Sequence, residues 1–308
     1  MSEIRFFDKV VIVTGAGGGL GRAYALEFAK RGARIIVNDL GGSGSGEGEN
    51  SKAADSVVAE IKAFGGDAVA NYDSVEFGEK IVRTAIDNYG RVDVVINNAG
   101  FLRDISFTKM TDKDWEMIFN VHVDGAYKVT KAAWPYMQAQ GYGRIIFTTS
   151  AAGIYGNFGQ ANYSAAKSAL LGLGKTLAIE GARKNIYSNV VAPIAGSRLT
   201  ETIWDDDILR ATSPEYVVPL VVKLCDENSQ ENGGVFEVGA SWFAKVRTER
   251  SQGVAFGVND FVSAEQVAQR WDDICDFSQS EPAEDIGSTF VAVGKMVGLD
   301  LLAKKTNK

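Results

Sequence analysis

Tyr163 and Lys167 stand four residues apart in the run Tyr163-Ser164-Ala165-Ala166-Lys167. On a helix that spacing places both on one face, within reach of a shared ligand. A free phenol titrates near about pH 10 and is a poor base at neutral pH. An adjacent ammonium favours the phenolate and lowers that value. The expected chemistry is removal of an alcohol proton by Tyr163 while hydride leaves for a nicotinamide. Lys167 is also placed to donate to the nicotinamide ribose. Ser150, thirteen residues before Tyr163, is placed to hold the substrate oxygen. Alone, a tyrosine and a lysine at this spacing usually make only a surface contact, so the pair needs a dinucleotide site to carry meaning.

Such a site is legible near the start of the chain. An apolar run leads directly into Thr14-Gly15-Ala16-Gly17-Gly18-Gly19-Leu20-Gly21, and a helical pattern follows. Glycine suits a tight turn that lets a pyrophosphate approach the backbone, and the free N–H groups at a helix start face its charge. Asp39 closes the next apolar run, 24 positions after Gly15. A carboxylate there accepts from both ribose hydroxyls and repels a 2′-phosphate, which selects NAD over NADP. Gly18 and Leu40 stand where a Lys or Arg would bind that phosphate, and Arg22 and Arg34 are the nearest basic residues.

The elements that must position these residues follow from the apolar pattern. Lys9–Thr14, Arg34–Asn38, Asp93–Asn97, Arg144–Ser150 and Ser188–Ala192 are short runs rich in Val and Ile, which fit strands buried on both faces; Ala68–Asn71 and Val235–Val238 are weaker strands. Leu20–Arg31, Ser51–Phe64, Phe77–Tyr89, Asp112–Gln140 and Tyr163–Arg183 read as helices. The alternation predicts an α/β fold, a doubly wound parallel sheet of Rossmann type with about seven strands and a C-terminal extension. The expected division is a catalytic dinucleotide-binding domain over 1–240 and an extension over 241–308 that covers the substrate or a dimer partner and ends as a linker. Within the extension Ser263–Cys275 is the one clear amphipathic segment, with Ser263 as N-cap and Gln266 three residues on. Gly41–Asn50 reads as a mobile surface loop.

Composition bounds the partners. The 308 residues are 45% hydrophobic and 23% charged, as in an ordinary globular chain. A formal net charge of −7 argues against nonspecific binding to nucleic acid or an anionic membrane. No apolar run is long enough to span a bilayer, so membrane insertion is not expected. Cys225 and Cys275 have no metal-type spacing and read as two reduced thiols, and no metal is expected. Met1–Asp8 lacks the cationic start and apolar stretch of a signal peptide, and the Lys304–Lys308 tail is not a Ser-Lys-Leu address.

Taken together these motifs resemble the short-chain dehydrogenase/reductase family over roughly residues 5–240. The cofactor turn is Thr14-Gly15-x-x-x-Gly19-x-Gly21. Asn97-Asn98-Ala99-Gly100 matches the motif after the fourth strand, and Ser150, Tyr163 and Lys167 match the catalytic positions. The resemblance implies cofactor contacts from Gly15, Gly19, Leu20, Gly21, Asp39, Asp73, Ser74, Val75, Asn98, Ala99, Gly100, Tyr163 and Lys167. Ala195, Gly196, Ser197 and Arg198, in the Pro193–Thr200 segment, are expected to close over the nicotinamide, and Ser150 and Tyr163 to touch substrate. Where the wider family often has a catalytic Asn, three residues before Gly125, this chain has His122, its single histidine. His122 is a candidate to organise a water next to Lys167, or equally a histidine satisfied by backbone contacts; Asn120 is off that position by two. The run Pro193-Ile194-Ala195-Gly196 also departs from the common Pro-Gly.

Longer stretches, among them Gly15–Gly42, Tyr142–Lys167 and Glu231–Gly239, are similar to the dehydrogenase unit of the peroxisomal multifunctional enzymes. That resemblance implies NAD-dependent oxidation of (3R)-3-hydroxyacyl-CoA to 3-ketoacyl-CoA in peroxisomal fatty-acid β-oxidation, a homodimer, and fusion to hydratase or sterol-carrier-like domains. Phe101, Leu102, Ile154, Tyr155, Phe158, Trp204 and Trp242 are candidates to line an acyl groove, and Arg103 or Arg198 to meet CoA phosphates. Three further readings stay open. A hydroxysteroid dehydrogenase or 3-oxoacyl reductase of the same fold would differ in substrate kinetics. A silent dinucleotide-binding module should lack the Tyr/Lys pair, and a docking scaffold would form a complex independent of cofactor.

Overall fold

Five of the strand runs are rich in Val and Ile, and such segments gain most by burial on both faces. In the computed structural model, which describes residues 3–42, 51–195, 205–257, 261–283 and 285–302, they form the centre of an eight-stranded sheet. The strands are β1 (Val10–Thr14), β2 (Arg34–Asn38), β3 (Asp67–Asn71), β4 (Val94–Asn97), β5 (Gly143–Thr148), β6 (Ile186–Ile194), β7 (Val235–Gly239) and β8 (Trp242–Val246), in the order β3-β2-β1-β4-β5-β6-β7-β8. The pairings from β3 through β7 are parallel, with register such as Val11 opposite Ile35 and Val94, so the fold is the doubly wound α/β sheet expected.

The helices α1 (Gly19–Lys30), α2 (Lys52–Ala63), α3 (Gly78–Tyr89), α4 (Asp112–Phe119), α5 (Ala126–Gln140), α6 (Ala151–Tyr155), α7 (Ala161–Gly181), α8 (Asp206–Ala211) and α9 (Val218–Cys225) connect the strands. Phe28, Tyr24 and Ala25 of α1 and Val221 and Cys225 of α9 pack with Val11, Val13, Ile35 and Val37 in the main core. Burying one such side chain contributes roughly 1.5–3 kcal/mol.

Two features depart from the reading of the sequence. The single helix expected over Asp112–Gln140 is interrupted by a π-helical turn at Asn120–Gly125. A local i→i+5 turn widens the helix and leaves no mark on apolar periodicity. The sheet also continues past Gly239. Ala240 and Ser241 both have positive φ, 48° and 62°, the geometry of a two-residue turn that folds β8 back beside β7. The chain forms two compact units, Met1–Lys245 and Val246–Lys308.

The second unit pairs β9 (Glu249–Arg250) antiparallel with β10 (Glu281–Pro282). Its helix α10 (Ala264–Gln269) carries the capping box expected: Ser263 Oγ accepts from the Gln266 N–H and Gln266 Oε1 from the Ser263 N–H. The pattern breaks at Arg270 into a short α11 (Trp271–Ile274), and α12 (Ile286–Val297) follows where the sequence read as irregular.

Candidate functional site

Strand β1 hands the chain to the glycine turn. Gly15 takes φ 64°, and a Cβ there would lie 2.8 Å from the Ala99 Cα, so the turn and the end of β4 approach at backbone distance. Asn98 secures that approach. Its Nδ2 donates to the carbonyls of Thr14 and Gly15 at 3.0 and 3.2 Å. Thr14 Oγ1 accepts in return from the N–H groups of Asn98 and Ala99. Gly18 caps α1 without a side-chain hydrogen bond, no acidic residue lies in the first turn of α1, and a Cβ at Gly18 or Gly19 would point into open space. The leading N–H groups of a helix have no intrahelical partner. Bare backbone donors beside open space fit a pyrophosphate.

A cavity of about 430 Å³ opens from this turn. Gly15, Gly19, Leu20, Asp39, Asp73, Ser74 and Val75 line it, with Asn98, Ala99, Gly100, His122, Ser150, Tyr163, Lys167 and Ala195. Gly21 does not. It is buried behind the wall, where a Cβ would meet the Gly15 carbonyl oxygen at 2.1 Å, so its role is to let the turn close. Gly196, Ser197, Arg198 and Trp204 lie outside the described residues, as do residues 43–50 of the Gly41–Asn50 loop. Sequence reasoning missed Asn38, Thr148 and Thr149 as lining residues. Asn38 and Thr149 directly precede residues that were found, Asp39 and Ser150, and Thr148 lies one further back; polar residues closing an apolar strand were the available signal.

Asp39 directly follows β2 with both carboxylate oxygens engaged, Oδ2 by the Gly17 N–H and Oδ1 by the Gly41 N–H, each at 2.7 Å. Asn38, buried, donates to Asn71 Oδ1 and to the Asp73 carbonyl, which ties the ends of β2 and β3 together. Among the described lining residues Lys167 is the one cation. Arg22 pairs with Glu60 and Arg34 with Asp8, and neither lines the cavity.

The opposite wall is built by β5, α6 and α7. Ser150 caps α6, its Oγ accepting from the Ala152 N–H at 3.2 Å, which leaves the hydroxyl proton free to donate. Lys167 is held twice by the end of β5: its carbonyl accepts from Thr149 Oγ1 and its Nζ donates to the Thr148 carbonyl, both at 2.7 Å. Gly153 lets α6 pack on α7 there, since a Cβ would come within 2.7 Å of Lys167 Cβ. Lys167 Nζ sits 5.5 Å from the centre of the Tyr163 ring.

The electrostatics differ from the simple picture of an ammonium ionising a phenol. Burial pushes the Tyr163 phenol up, with a hydrogen bond from Ser150 opposing that shift and the charge of Asp104 adding to it. Burial also pulls Lys167 down to about 7. The expectation that Lys167 lowers the Tyr163 pKa is therefore corrected for the protein alone: burial dominates both groups, and the hydrogen bond that lowers Tyr163 comes from Ser150.

His122 is placed by the π-helical turn. It is 3% exposed, and its Nε2 lies 2.9 Å from the Phe101 carbonyl oxygen and 3.2 Å from the Phe101 N. Its ring meets Tyr163 edge-on at 5.4 Å. Gly100 makes the seat, because a Cβ there would fall 2.3 Å from His122 Cε1. Burial first, and the Lys167 charge second, hold the ring well below the usual histidine range, so it is neutral. Its Nδ1 is buried without a protein hydrogen-bond partner. Asn120 does not line the cavity.

The apolar candidates divide. Phe101 and Leu102 line the cavity. Phe158 is 92% exposed, Trp242 is half exposed, and Tyr155 donates to Glu237 Oε2. Arg103 is committed to an ion pair with Asp114 at 3.0 Å, so it does not stand as a free donor for a CoA phosphate. Among the described residues no group of three or more His, Cys, Asp or Glu side chains forms a metal cluster, and no helix is long and apolar enough to cross a membrane.

Comparison with known proteins gives a consistent result. The family model for short chain dehydrogenase matches residues 9–206. The chain is 59% identical over 286 residues to peroxisomal multifunctional enzyme type 2 of Mus musculus, covering 92% of this chain and 39% of that protein. It is 57% identical over 294 residues to peroxisomal multifunctional enzyme A of Dictyostelium discoideum, covering 94% and 66%. The solved full-length peroxisomal multifunctional enzyme type 2 of Drosophila melanogaster matches with a TM-score of 0.83 and 40% identity, over 96% of this chain and 50% of that one. The chain thus spans between 39% and 66% of the length of these relatives.

Proposed function

The chain belongs to the short-chain dehydrogenase family, and from that premise we propose that it oxidises (3R)-3-hydroxyacyl-CoA to 3-ketoacyl-CoA with NAD, as the dehydrogenase part of a longer protein of peroxisomal β-oxidation. One observation carries the reading: Ser150, Tyr163 and Lys167 converge on the same cavity whose far wall is the glycine turn and Asp39.

Gly15, Gly18, Gly19 and Leu20 would hold the pyrophosphate on backbone N–H groups, and Asp39 the adenosine ribose. The negative Asp39, with no arginine or lysine beside it on the described wall, favours NAD over its 2′-phosphorylated form. When bound, the nicotinamide supplies the acceptor for the hydride that leaves the carbinol carbon. Once its own phenolic proton has passed along the Lys167 side, Tyr163 Oη would take the hydroxyl proton as the C=O bond forms. Ser150, its Oγ already accepting from Ala152, turns its own proton toward the substrate oxygen and steadies the charge that develops there. Lys167, anchored on Thr148, keeps further N–H donors for the ribose and for a proton path away from Tyr163. His122 stands on the same wall with Nδ1 free to accept, which suits the water-organising role.

The acyl-CoA assignment draws on the peroxisomal relatives and on the apolar wall of Phe101 and Leu102. The test is NAD reduction, followed at the nicotinamide absorbance, with the two enantiomers of a 3-hydroxyacyl-CoA. Turnover of the (3R) form alone is expected; turnover confined to the (3S) form overturns the assignment.

A further inference from the structure

Gly17 lies in the glycine turn but does not line the cavity, and its φ is not in the left-handed region. Neither ligand contact nor backbone strain accounts for a glycine there. Space does: a Cβ on residue 17 would sit 2.8 Å from both Cγ and Oδ2 of Asp39, and 2.7 Å from the Cβ of Ala53 at the start of α2. Only a residue without a side chain allows the Asp39 carboxylate to close onto the N–H of residue 17, at 2.7 Å. The second oxygen is held by Gly41, and the Asp39 N–H is itself fixed on the Asn71 carbonyl.

We propose that Gly17 is a specificity-determining residue for the dinucleotide, which acts by locking the Asp39 carboxylate in one orientation at the adenosine end of the cavity. A carboxylate tied at both oxygens keeps a lone pair on each for the ribose hydroxyls. It also cannot rotate away from a phosphate dianion, as a free aspartate would. Discrimination against the 2′-phosphate then comes from the fixed orientation as much as from the charge. This rests on the NAD reading above.

Equilibrium binding of NADH and of NADPH, each followed by cofactor fluorescence, tests it in the wild type, in Gly17→Ala and in Gly17→Ala/Ala53→Gly. The double variant removes the clash with α2 and leaves the clash with Asp39, and ligand-free melting checks that each variant folds. With the lock broken, the NADH dissociation constant should rise about tenfold, the scale of one charge-assisted hydrogen bond. The NADPH-to-NADH ratio should fall at least about fivefold in both variants. An unchanged ratio in the folded double variant, with the wild type still preferring NADH, overturns the role of Gly17 and leaves the NAD reading standing. A wild type that binds NADPH at least as tightly as NADH overturns the NAD reading, and the inference with it.

Discussion

The two ends of the cavity are built on opposite principles. At the dinucleotide end the polar side chains are paired in the protein alone: Asn98 bridges two carbonyls, Thr14 Oγ1 takes two N–H groups, and Asp39 takes two more. Each such bond contributes about 1 kcal/mol and fixes a geometry. At the catalytic end the polar groups are buried at a cost. Lys167 is pulled down, Tyr163 is pushed up, and His122 Nδ1 lacks a protein partner. The binding half is preorganised. The catalytic half holds desolvated groups, and among them Lys167, brought down to about 7, can take or give a proton near neutral pH.

Lys167→Met should erase the sharpest part of that contrast. Lys167 titrates at about 7 in the folded protein against 10.5 in its ordinary state. Between those values the unfolded chain binds the extra proton, so stability rises with pH, by up to about 1.4 kcal/mol per pH unit. Below about pH 7 both states are protonated and this contribution is absent. Urea midpoints at several pH values should show the rise in the wild type and its loss in the variant, and turnover should fall at least about a hundredfold. Parallel stability profiles would remove the desolvated lysine from the account.

A smaller effect is expected at His122. His122→Ala should leave NADH affinity intact, lower turnover by about tenfold and change the shape of its pH profile. If turnover and profile both stay as in the wild type, the histidine serves only to seat Phe101 and the neighbouring turn.

Much of this cavity was legible in the chain. The strand runs, the glycine turn, Asp39 and the Ser150/Tyr163/Lys167 set lie where local pattern reaches: each sits at the end of an apolar strand or on one face of a helix. What escaped the pattern depends on contacts between distant segments. The π-helical turn is invisible to periodicity, yet it aims His122 at Gly100. The hairpin that adds β8 turns on positive φ at Ala240 and Ser241, residue types that do not announce it. The sign of the Tyr163 shift required knowing how deeply the fold buries the phenol, which outweighs the hydrogen bond from Ser150.

The central claim is that Tyr163 carries the alcohol proton beside a dinucleotide held by separate residues. Single-turnover NAD reduction by wild type and Tyr163→Phe, each saturated with (3R)-3-hydroxyacyl-CoA and each with its NADH dissociation constant measured alongside, addresses it directly. The account predicts a rate at least about a hundredfold lower in the variant with an unchanged dissociation constant. An equal rate, or a loss of rate explained entirely by weaker dinucleotide binding, would contradict it.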